Sequence, residues 1–179
     1  MSSAGIFEIA SSGRARCRGC GGVIARGEMR FGEVLPNPFA DGDLTVWFHP
    51  ACAAWKRPAP LLEALSGTDQ TVVDRESLAD IAHHCQRHTR LPRVDGAEQA
   101  PSGRARCRHC RKPIARDDWR IRLTFHQDGQ FAAGGFIHLS CRQDYFHTTE
   151  IRLDHVLHFS ANLTPEERES LQQAWHASL

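Results

Sequence analysis

Alternation of apolar and polar residues is clearest at residues 119–125, which read WRIRLTF. Successive side chains of a strand point to opposite faces, so this pattern predicts a half-buried strand with Arg120 and Arg122 on its open face. Residues 29–31 repeat the pattern more weakly, with Arg30 facing outward. Each stretch leads to an Asp-Gly turn signal, and residues 44–48 read as a second strand after the first turn. The pattern therefore predicts short antiparallel sheets.

Helical periodicity follows each predicted sheet. A helix is expected over 75–88, with Asp74 as its N-cap. A second helix is expected after residues 164–167, Thr-Pro-Glu-Glu, which have the form of a capping box with proline in the first turn. The apolar stripes consist of Leu78, Ile81, Ala82 and Cys85 in the first helix and Leu171, Ala174 and Trp175 in the second.

Residues 91–101 are rich in Pro, Gly and polar residues and are predicted to be a linker. The chain then divides into a domain over 6–90 and a domain over 102–179. Domains of this size bury a core that is only marginally sufficient for stability. An additional source of folding energy is therefore expected in each.

An internal repeat supports the division into two domains. Residues 12–30 and 102–120 are identical at twelve of nineteen positions, with a constant offset of ninety. The most similar part is SGRARCRGC in the first copy and SGRARCRHC in the second. We interpret the chain as a tandem duplication.

Each copy of the repeat contains a set of three cysteines and one histidine. The spacing is C-x2-C-x28-H-x2-C in the first copy and C-x2-C-x27-H-x2-C in the second. Three thiolates and one imidazole complete a tetrahedral zinc site with no position open to water, so two structural Zn2+ ions are expected. The predicted ligands are Cys17, Cys20, His49 and Cys52, and Cys107, Cys110, His138 and Cys141.

The remaining metal-binding residue types are expected to have other roles. Cys85 lies on the apolar stripe of the first helix, so we expect a buried core thiol. His83, His84 and His88 are expected to be solvated, because four ligands are already available for each ion. His109 is not an expected ligand, because the first copy has Gly19 at that position.

The net charge of +1 conceals two basic regions. Residues 12–60 contain seven Lys and Arg against four Asp and Glu, and residues 102–145 contain nine against four. The positive charge is concentrated around the cysteine pairs, where a polyanion could bind. No apolar stretch is long enough to cross a membrane, and the first residues lack the features of a signal peptide. A reducing compartment is therefore expected. This compartment is the cytoplasm or nucleoid if the arginine-rich composition reflects a bacterial source, and it is the nucleus if the source is eukaryotic.

These motifs together resemble the PARP-type zinc finger of poly(ADP-ribose) polymerases and DNA ligase III. The shared features are SGRA directly before CxxC, an arginine ten residues after the second cysteine, and HxxC about 27–30 residues after the CxxC pair. The likeness extends over nearly the whole chain. It implies small α+β zinc-binding domains, each with a short antiparallel sheet and helices around a Cys3His site. It also implies recognition of DNA ends, nicks and gaps without base specificity.

The resemblance assigns candidate DNA contacts to both copies. In this family arginines contact the phosphate backbone, and apolar loop residues stack on the base pair that a break exposes. The family pattern has an aromatic residue at the position of Ala40, one after Phe39. Phe39 is therefore assigned the stacking role at a position shifted by one residue. The alternative is that Phe39 lies in the core. The phosphate candidates are Arg14, Arg30, Arg104, Arg120 and Arg122, the stacking candidates are Phe39, Leu44 and Phe131, and Trp47 and Phe136 occupy the family's core tryptophan position.

Four further arginines flank the predicted ligands and have two possible roles. They contact phosphate, or they raise the local positive potential and keep the thiolates ionised. Arg120 and Arg122 likewise have the alternative of lying on a merely solvated strand face. The flanking residues are Arg16, Arg18, Arg106 and Arg108.

The sequence thus predicts a non-catalytic binder of DNA strand breaks that acts in damage sensing or repair. No nucleophile–base pair and no open metal site is evident, so any chemistry is expected from a partner such as a repair enzyme. Neither a membrane nor a small-molecule substrate is expected as a partner. Two alternatives stay open: a zinc-stabilised protein-interaction adaptor, and a binder of structured RNA.

Overall fold

The structure is a computed structural model that describes residues 5–37 and 39–178. It divides into two compact units. The first unit comprises residues up to Pro92 together with His126–Phe131, and the second comprises Arg93–Phe125 and the residues from Ala132 onward. No helix of the described residues is both long enough and apolar enough to span a membrane.

The first unit is a three-stranded antiparallel sheet followed by three helices. Its strands are β1 (Gly5–Ile9), β2 (Met29–Pro36) and β3 (Asp43–Phe48), in the order β1-β2-β3. The register pairs Glu8 with Arg30 and Gly32 with Trp47. The helices are α1 (Pro50–Lys56), α2 (Pro58–Gly67) and α3 (Arg75–Arg87). This confirms the strand predicted at 44–48 and the helix predicted from residue 75.

Aromatic packing forms the core of the first unit. Phe7, Phe31 and Phe48 form a row across the sheet, with ring centroids 5.5 Å and 6.2 Å apart. Burial of three such rings supplies much of the hydrophobic stabilisation of this small unit. Leu61 and Leu65 of α2 and Leu78, Ala82 and Cys85 of α3 are buried as well, which confirms the core role predicted for Cys85.

A second three-stranded sheet belongs to the second unit except for its hairpin residues His126–Phe131. Its strands are β4 (Val94–Gln99), β5 (Trp119–Gln127) and β6 (Gln130–His138), in the order β4-β5-β6. Helices α4 (Arg142–Phe146), α5 (Leu153–His158) and α6 (Pro165–Ala177) follow. Thr164 and Glu167 form the predicted capping box at the start of α6. Buried Leu171 and Trp175 attach this helix to the core.

The linker predicted over 91–101 is wrong. Leu91–Arg93 form a turn of 3-10 helix, and β4 follows as a strand antiparallel to β5, with Ala97 paired to Ile121. This strand has no apolar–polar alternation in the sequence. Its register is irregular between Val94 and Ala97, and it contains Gly96 at φ +89°, which is typical of a bulge. A side chain at Gly96 would collide with the Phe159 carbonyl. Along the chain, the first boundary between the two units falls between Pro92 and Arg93.

Two smaller expectations also differ from the structure. Asp74 precedes α3 but has a left-handed backbone and makes no side-chain capping bond. Its carbonyl instead accepts the Leu78 amide at 2.9 Å. His84 of α3 is buried rather than solvated, although His83 is exposed.

Candidate functional site

The predicted zinc ligands converge in both units. Their donor atoms lie within 4.8 Å of one another in each set, which comprises Cys17, Cys20, His49 and Cys52 in the first unit and Cys107, Cys110, His138 and Cys141 in the second. In both sets one sulfur lies 3.4 Å from the histidine Nδ1 and another lies 3.9 Å from it. A tetrahedral zinc site places sulfur and nitrogen ligands about 3.5 Å apart, so the four groups fit Zn2+.

Hydrogen bonds orient the ligands of the first site. The His49 ring presents Nδ1 to the sulfurs, and its Nε2 lies 3.3 Å from the Val23 carbonyl, which fixes the tautomer. The amide of Gly22 donates to the sulfur of Cys20 at 3.4 Å, and the His49 amide donates to the sulfur of Cys17 at 3.3 Å. Amides that donate to thiolates stabilise their negative charge.

The second site repeats the contact that orients the histidine. His138 Nε2 lies 3.1 Å from the Pro113 carbonyl. His109, within the second CxxC, lies outside the ligand set and faces Asp144 at 3.8 Å. The repeat therefore extends from the ligands to the groups that orient them.

Crowding of the thiols indicates a cation. Hydrogen bonds with Cys17, Cys52 and His49 hold the pKa of Cys20 well below its usual range, whereas hydrogen bonds with Cys17 and Cys20 raise the pKa of Cys52. Hydrogen bonds with Cys17 and Cys20 also raise the pKa of His49 to about 10. Sulfurs this close cannot all ionise without a positive charge among them, which a divalent metal supplies in place of the protons.

The first copy of the SGRAR phrase lies beside a groove of about 460 Å³. Arg14, Arg16 and Arg18 line it, together with Thr45 and Trp47 of β3. All three arginines are exposed, and no acidic residue belongs to the lining. The groove is therefore a concentration of positive charge next to the first metal site.

Arg16 and its copy Arg106 also stabilise the loops that hold the metals. Nη1 of Arg16 donates to the Gly21 carbonyl at 3.2 Å, and Nη1 of Arg106 donates to the Arg111 carbonyl at 3.3 Å. Each bond spans the loop that contains the CxxC pair. Arg104 and Arg108 of the second copy are exposed, as Arg14 and Arg18 are.

Arg30 and Arg120 are less open than the strand pattern predicted. Arg30 is paired with Glu8, and its side chain is 11% exposed. Arg120 is paired with Glu98, and its side chain is 6% exposed. Each guanidinium lies over an aromatic ring, Trp47 at 3.6 Å and Phe136 at 3.5 Å. The sequence reading missed the two carboxylates, although Glu8 and Glu98 have the same offset of ninety as the repeat.

Arg122 has a structural role. Its Nε and Nη2 donate to the Asp95 carbonyl at 3.0 and 2.7 Å, and Nη2 also donates to the Phe159 carbonyl at 3.0 Å. Nη1 lies 3.4 Å from a carboxylate oxygen of Glu98. All of its donor nitrogens are therefore used within the second unit, so the predicted phosphate contact is not supported.

The stacking candidates separate into exposed and packed residues. Phe39 is 83% exposed in the loop between β2 and β3, so it is not a core residue. A bond of 3.0 Å from the Asn37 amide to the Gly42 carbonyl closes this loop, and Leu44 at the start of β3 is half-buried.

Phe131, in contrast, is packed within the first unit. Its ring centroid lies 4.9 Å from that of His126 and 6.2 Å from that of Phe48. The Asp128-Gly129 turn just before it has two residues in the left-handed region, as a two-residue hairpin requires. This packing does not leave Phe131 free as the predicted wedge.

Comparison with known proteins decides the family. Residues 8–83 match the model of the poly(ADP-ribose) polymerase and DNA-ligase zinc-finger region. Residues 8–83 form a PARP-type zinc finger. The second unit repeats the ligand set and sheet order of the first, so the protein consists of two tandem PARP-type zinc fingers around two structural zinc sites.

Relatives share moderate identity with these PARP-type fingers. The chain is 28% identical to poly [ADP-ribose] polymerase of Drosophila melanogaster over an alignment of 135 positions that covers 68% of this chain and 14% of the relative. It is 29% identical to the Sarcophaga peregrina enzyme over 65% of this chain and 14% of the relative. It is 25% identical to poly [ADP-ribose] polymerase 1 of Xenopus laevis over 92% of this chain and 18% of the relative. The chain thus spans less than a fifth of each of these relatives.

Proposed function

We propose that this protein binds DNA at strand breaks through its two PARP-type zinc fingers and acts in damage sensing or repair. The family, which takes its name from polymerase and DNA-ligase finger regions, supports a role in DNA binding in general. The observation that carries the proposal is the groove lined by Arg14, Arg16 and Arg18 beside Trp47. A ligand of this groove is anionic and extended.

The groove suits the phosphate backbone. Guanidinium groups donate paired hydrogen bonds to phosphate oxygens, and each neutralised phosphate releases a counterion, which makes the binding salt-dependent. Phosphate contacts place the protein on the duplex without reading its sequence. Arg104 and Arg108 of the second finger, both exposed, extend the same type of contact.

Preference for a break is proposed to come from the loop that contains Phe39. An intact duplex buries the faces of its base pairs, whereas a nick lets the duplex bend and exposes one. The exposed ring of Phe39 stacks on that face, and Leu44 contributes apolar surface beside it. Stacking of this kind tolerates any base. The first finger supplies this contact, because Phe131 of the second hairpin is packed.

We assign the protein a role in recognition rather than catalysis. Both metal sites have four protein ligands, so a zinc ion in either site has no position for an activated water. A repair enzyme that acts on the break is the proposed partner. This partner assignment rests on the lesion that the fingers are proposed to bind.

Charge reversal tests DNA binding against the adaptor alternative. Arg14→Glu and Arg104→Glu place a negative charge where a phosphate is proposed to lie. Each should weaken DNA binding by about tenfold or more at physiological salt. Arg87→Glu, at the exposed end of α3, is the matched control and should change little. If the three variants bind DNA alike, the groove is not the DNA site, and stronger binding to structured RNA than to nicked DNA would favour the RNA alternative.

A further inference from the structure

A carboxylate, an arginine and an aromatic ring form the same cluster in both fingers. In the first finger Glu8 of β1 lies opposite Arg30 of β2, and Arg30 lies over Trp47 of β3. In the second finger Glu98 of β4 lies opposite Arg120 of β5, and Arg120 lies over Phe136 of β6. The cluster therefore spans all three strands of each sheet, at equivalent positions.

Each carboxylate contacts one edge of its guanidinium. Glu8 Oε1 accepts from Nε of Arg30 at 3.0 Å and also from Nη2. Glu98 Oε1 accepts from Nε of Arg120 at 3.1 Å and also from Nη2. Among the described residues, none accepts a hydrogen bond from Nη1 of either arginine. The two N–H groups of Nη1 are thus available as donors to a ligand.

The cluster holds the guanidinium in one orientation and offsets its charge. The aromatic ring fixes the plane of the group, and the carboxylate fixes its rotation within that plane. A phosphate oxygen that binds Nη1 shares the guanidinium with the carboxylate on its Nε–Nη2 edge, and the two negative charges repel each other. The Glu8 and Glu98 side chains are 42% and 32% exposed, so this repulsion reaches the surface.

We propose that Glu8 and Glu98 are specificity-determining residues that make the phosphate contacts of Arg30 and Arg120 conditional on correct placement of the DNA backbone. A backbone held in place by the other contacts of the site meets Nη1 and gains a directed hydrogen bond. A backbone that slides along the protein meets a nearly neutral pair and gains little. The carboxylates thereby weaken binding to intact duplex more than binding to a break. This inference rests on the proposed function.

Removal of the negative charge tests the proposal. Glu8→Gln and Glu98→Gln keep the size of the side chain and leave a full positive charge on Arg30 and on Arg120. Glu98→Gln also removes the carboxylate that lies 3.4 Å from Nη1 of Arg122, so Glu8→Gln is the cleaner of the two variants. We expect each variant to bind intact duplex about three- to tenfold more tightly, with a steeper salt dependence by about 0.9 in the log–log slope. Binding to nicked duplex should tighten less. The matched controls are Glu76→Gln in the first finger and Glu169→Gln in the second, both exposed on helices, and they should change binding less than twofold.

A double-mutant cycle separates this role from a structural one. In an Arg30→Gln background, Glu8→Gln should have no effect on DNA binding, and Glu8→Asp alone should preserve wild-type discrimination. Zinc content and the thermal unfolding midpoint identify any variant that fails to fold. If Glu8→Gln fails to fold, the DNA binding of Glu8→Asp and of the variants in the Arg30→Gln background decides whether Glu8 acts through Arg30. The proposal is overturned if Glu8→Gln matches Glu76→Gln, if it changes the affinity for both DNAs by the same factor, or if its effect persists without Arg30.

Failure of the proposed role of Glu8 and Glu98 can be distinguished from failure of break recognition. Equal binding of nicked and intact duplex by the wild-type protein removes break recognition, yet the effect of Glu8→Gln on intact-duplex affinity and salt slope is still measured. Absence of any DNA binding removes both proposals.

Discussion

The guanidinium carbon of Arg30 lies 3.6 Å from the centre of the Trp47 ring. The pair is at the edge of the groove that Arg14, Arg16 and Arg18 line, because Trp47 belongs to both. An aromatic face attracts a cation and also restricts its movement. Trp47 therefore connects the position of a strand arginine to the arginine-lined groove.

Replacement of Trp47 tests this connection. Trp47→Leu removes the aromatic face but keeps an apolar side chain on β3. A cation–π contact is worth roughly 1 kcal/mol, so DNA affinity should fall about three- to tenfold. Fluorescence anisotropy with an internally labelled duplex measures the affinity, and metal analysis should still find two zinc ions. Unchanged affinity with both ions retained would show that Arg30 does not depend on the ring.

Zinc stoichiometry tests the two metal centres separately. The wild-type protein should carry two ions, and Cys20→Ser and Cys110→Ser should each carry one, because each removes a ligand from a different site. Native mass spectrometry counts the bound ions. A structural zinc site contributes on the order of 10 kcal/mol, so loss of the ion should unfold the affected finger.

Cys85→Ser is the control for zinc stoichiometry. Cys85 is buried in α3 and lies outside both ligand sets. This variant should keep two ions even if it loses stability. A loss of zinc from Cys85→Ser comparable to that from Cys20→Ser would contradict the assignment of ligands.

Acid should release the zinc. Hydrogen bonds with Cys17, Cys52 and His49 hold the pKa of Cys20 well below its usual range. Ionisation of Cys20 therefore stabilises the folded state, and this contribution is complete when the pH is above the pKa of an ordinary thiol. That contribution is lost as the pH falls through the lowered pKa, because protons compete with the metal for the sulfurs. A metal-sensitive dye should report zinc release that increases as the pH falls. Retention of both ions in acid that has already unfolded the fingers would contradict this prediction.

The sequence predicts the zinc centres well because their information is local and duplicated. Two CxxC pairs at an offset of ninety, each with a matching HxxC, leave few alternative ligand sets. The two strands with clear patterns and the capping box of α6 are predicted for the same reason. In each case the residues that decide the structure are close together in the chain.

The elements that sequence analysis missed depend on distant partners. β4 is polar and contains Gly96, and it becomes a strand because it pairs with β5 and packs near Phe159. Arg122 looks the same as Arg120 in the strand pattern, but carbonyls far away in the chain accept its hydrogen bonds. The repeated residues Glu8 and Glu98 were a detectable signal, since an extension of the repeat toward the N-terminus would have revealed them.

The loop between β2 and β3 offers a test of stacking. Phe39→Ala should leave stability unchanged, because the ring is 83% exposed. Loss of one base-stacking contact costs about 1–3 kcal/mol, so affinity for nicked duplex should fall by roughly fivefold or more. Affinity for intact duplex should barely change. Val73→Ala, at a residue that is 70% exposed, is the matched control and should affect neither DNA; an equal loss on both duplexes would show that Phe39 does not contact a break.

The most direct measurement compares one duplex in its intact form and with a single nick. Both carry the label internally and have blocked ends, so the nick is their only difference, and the affinities are measured at several salt concentrations. We predict tighter binding of the nicked duplex at every salt concentration, with a difference that persists as salt weakens the phosphate contacts. Equal affinity of the two duplexes across the salt range would contradict the recognition of strand breaks.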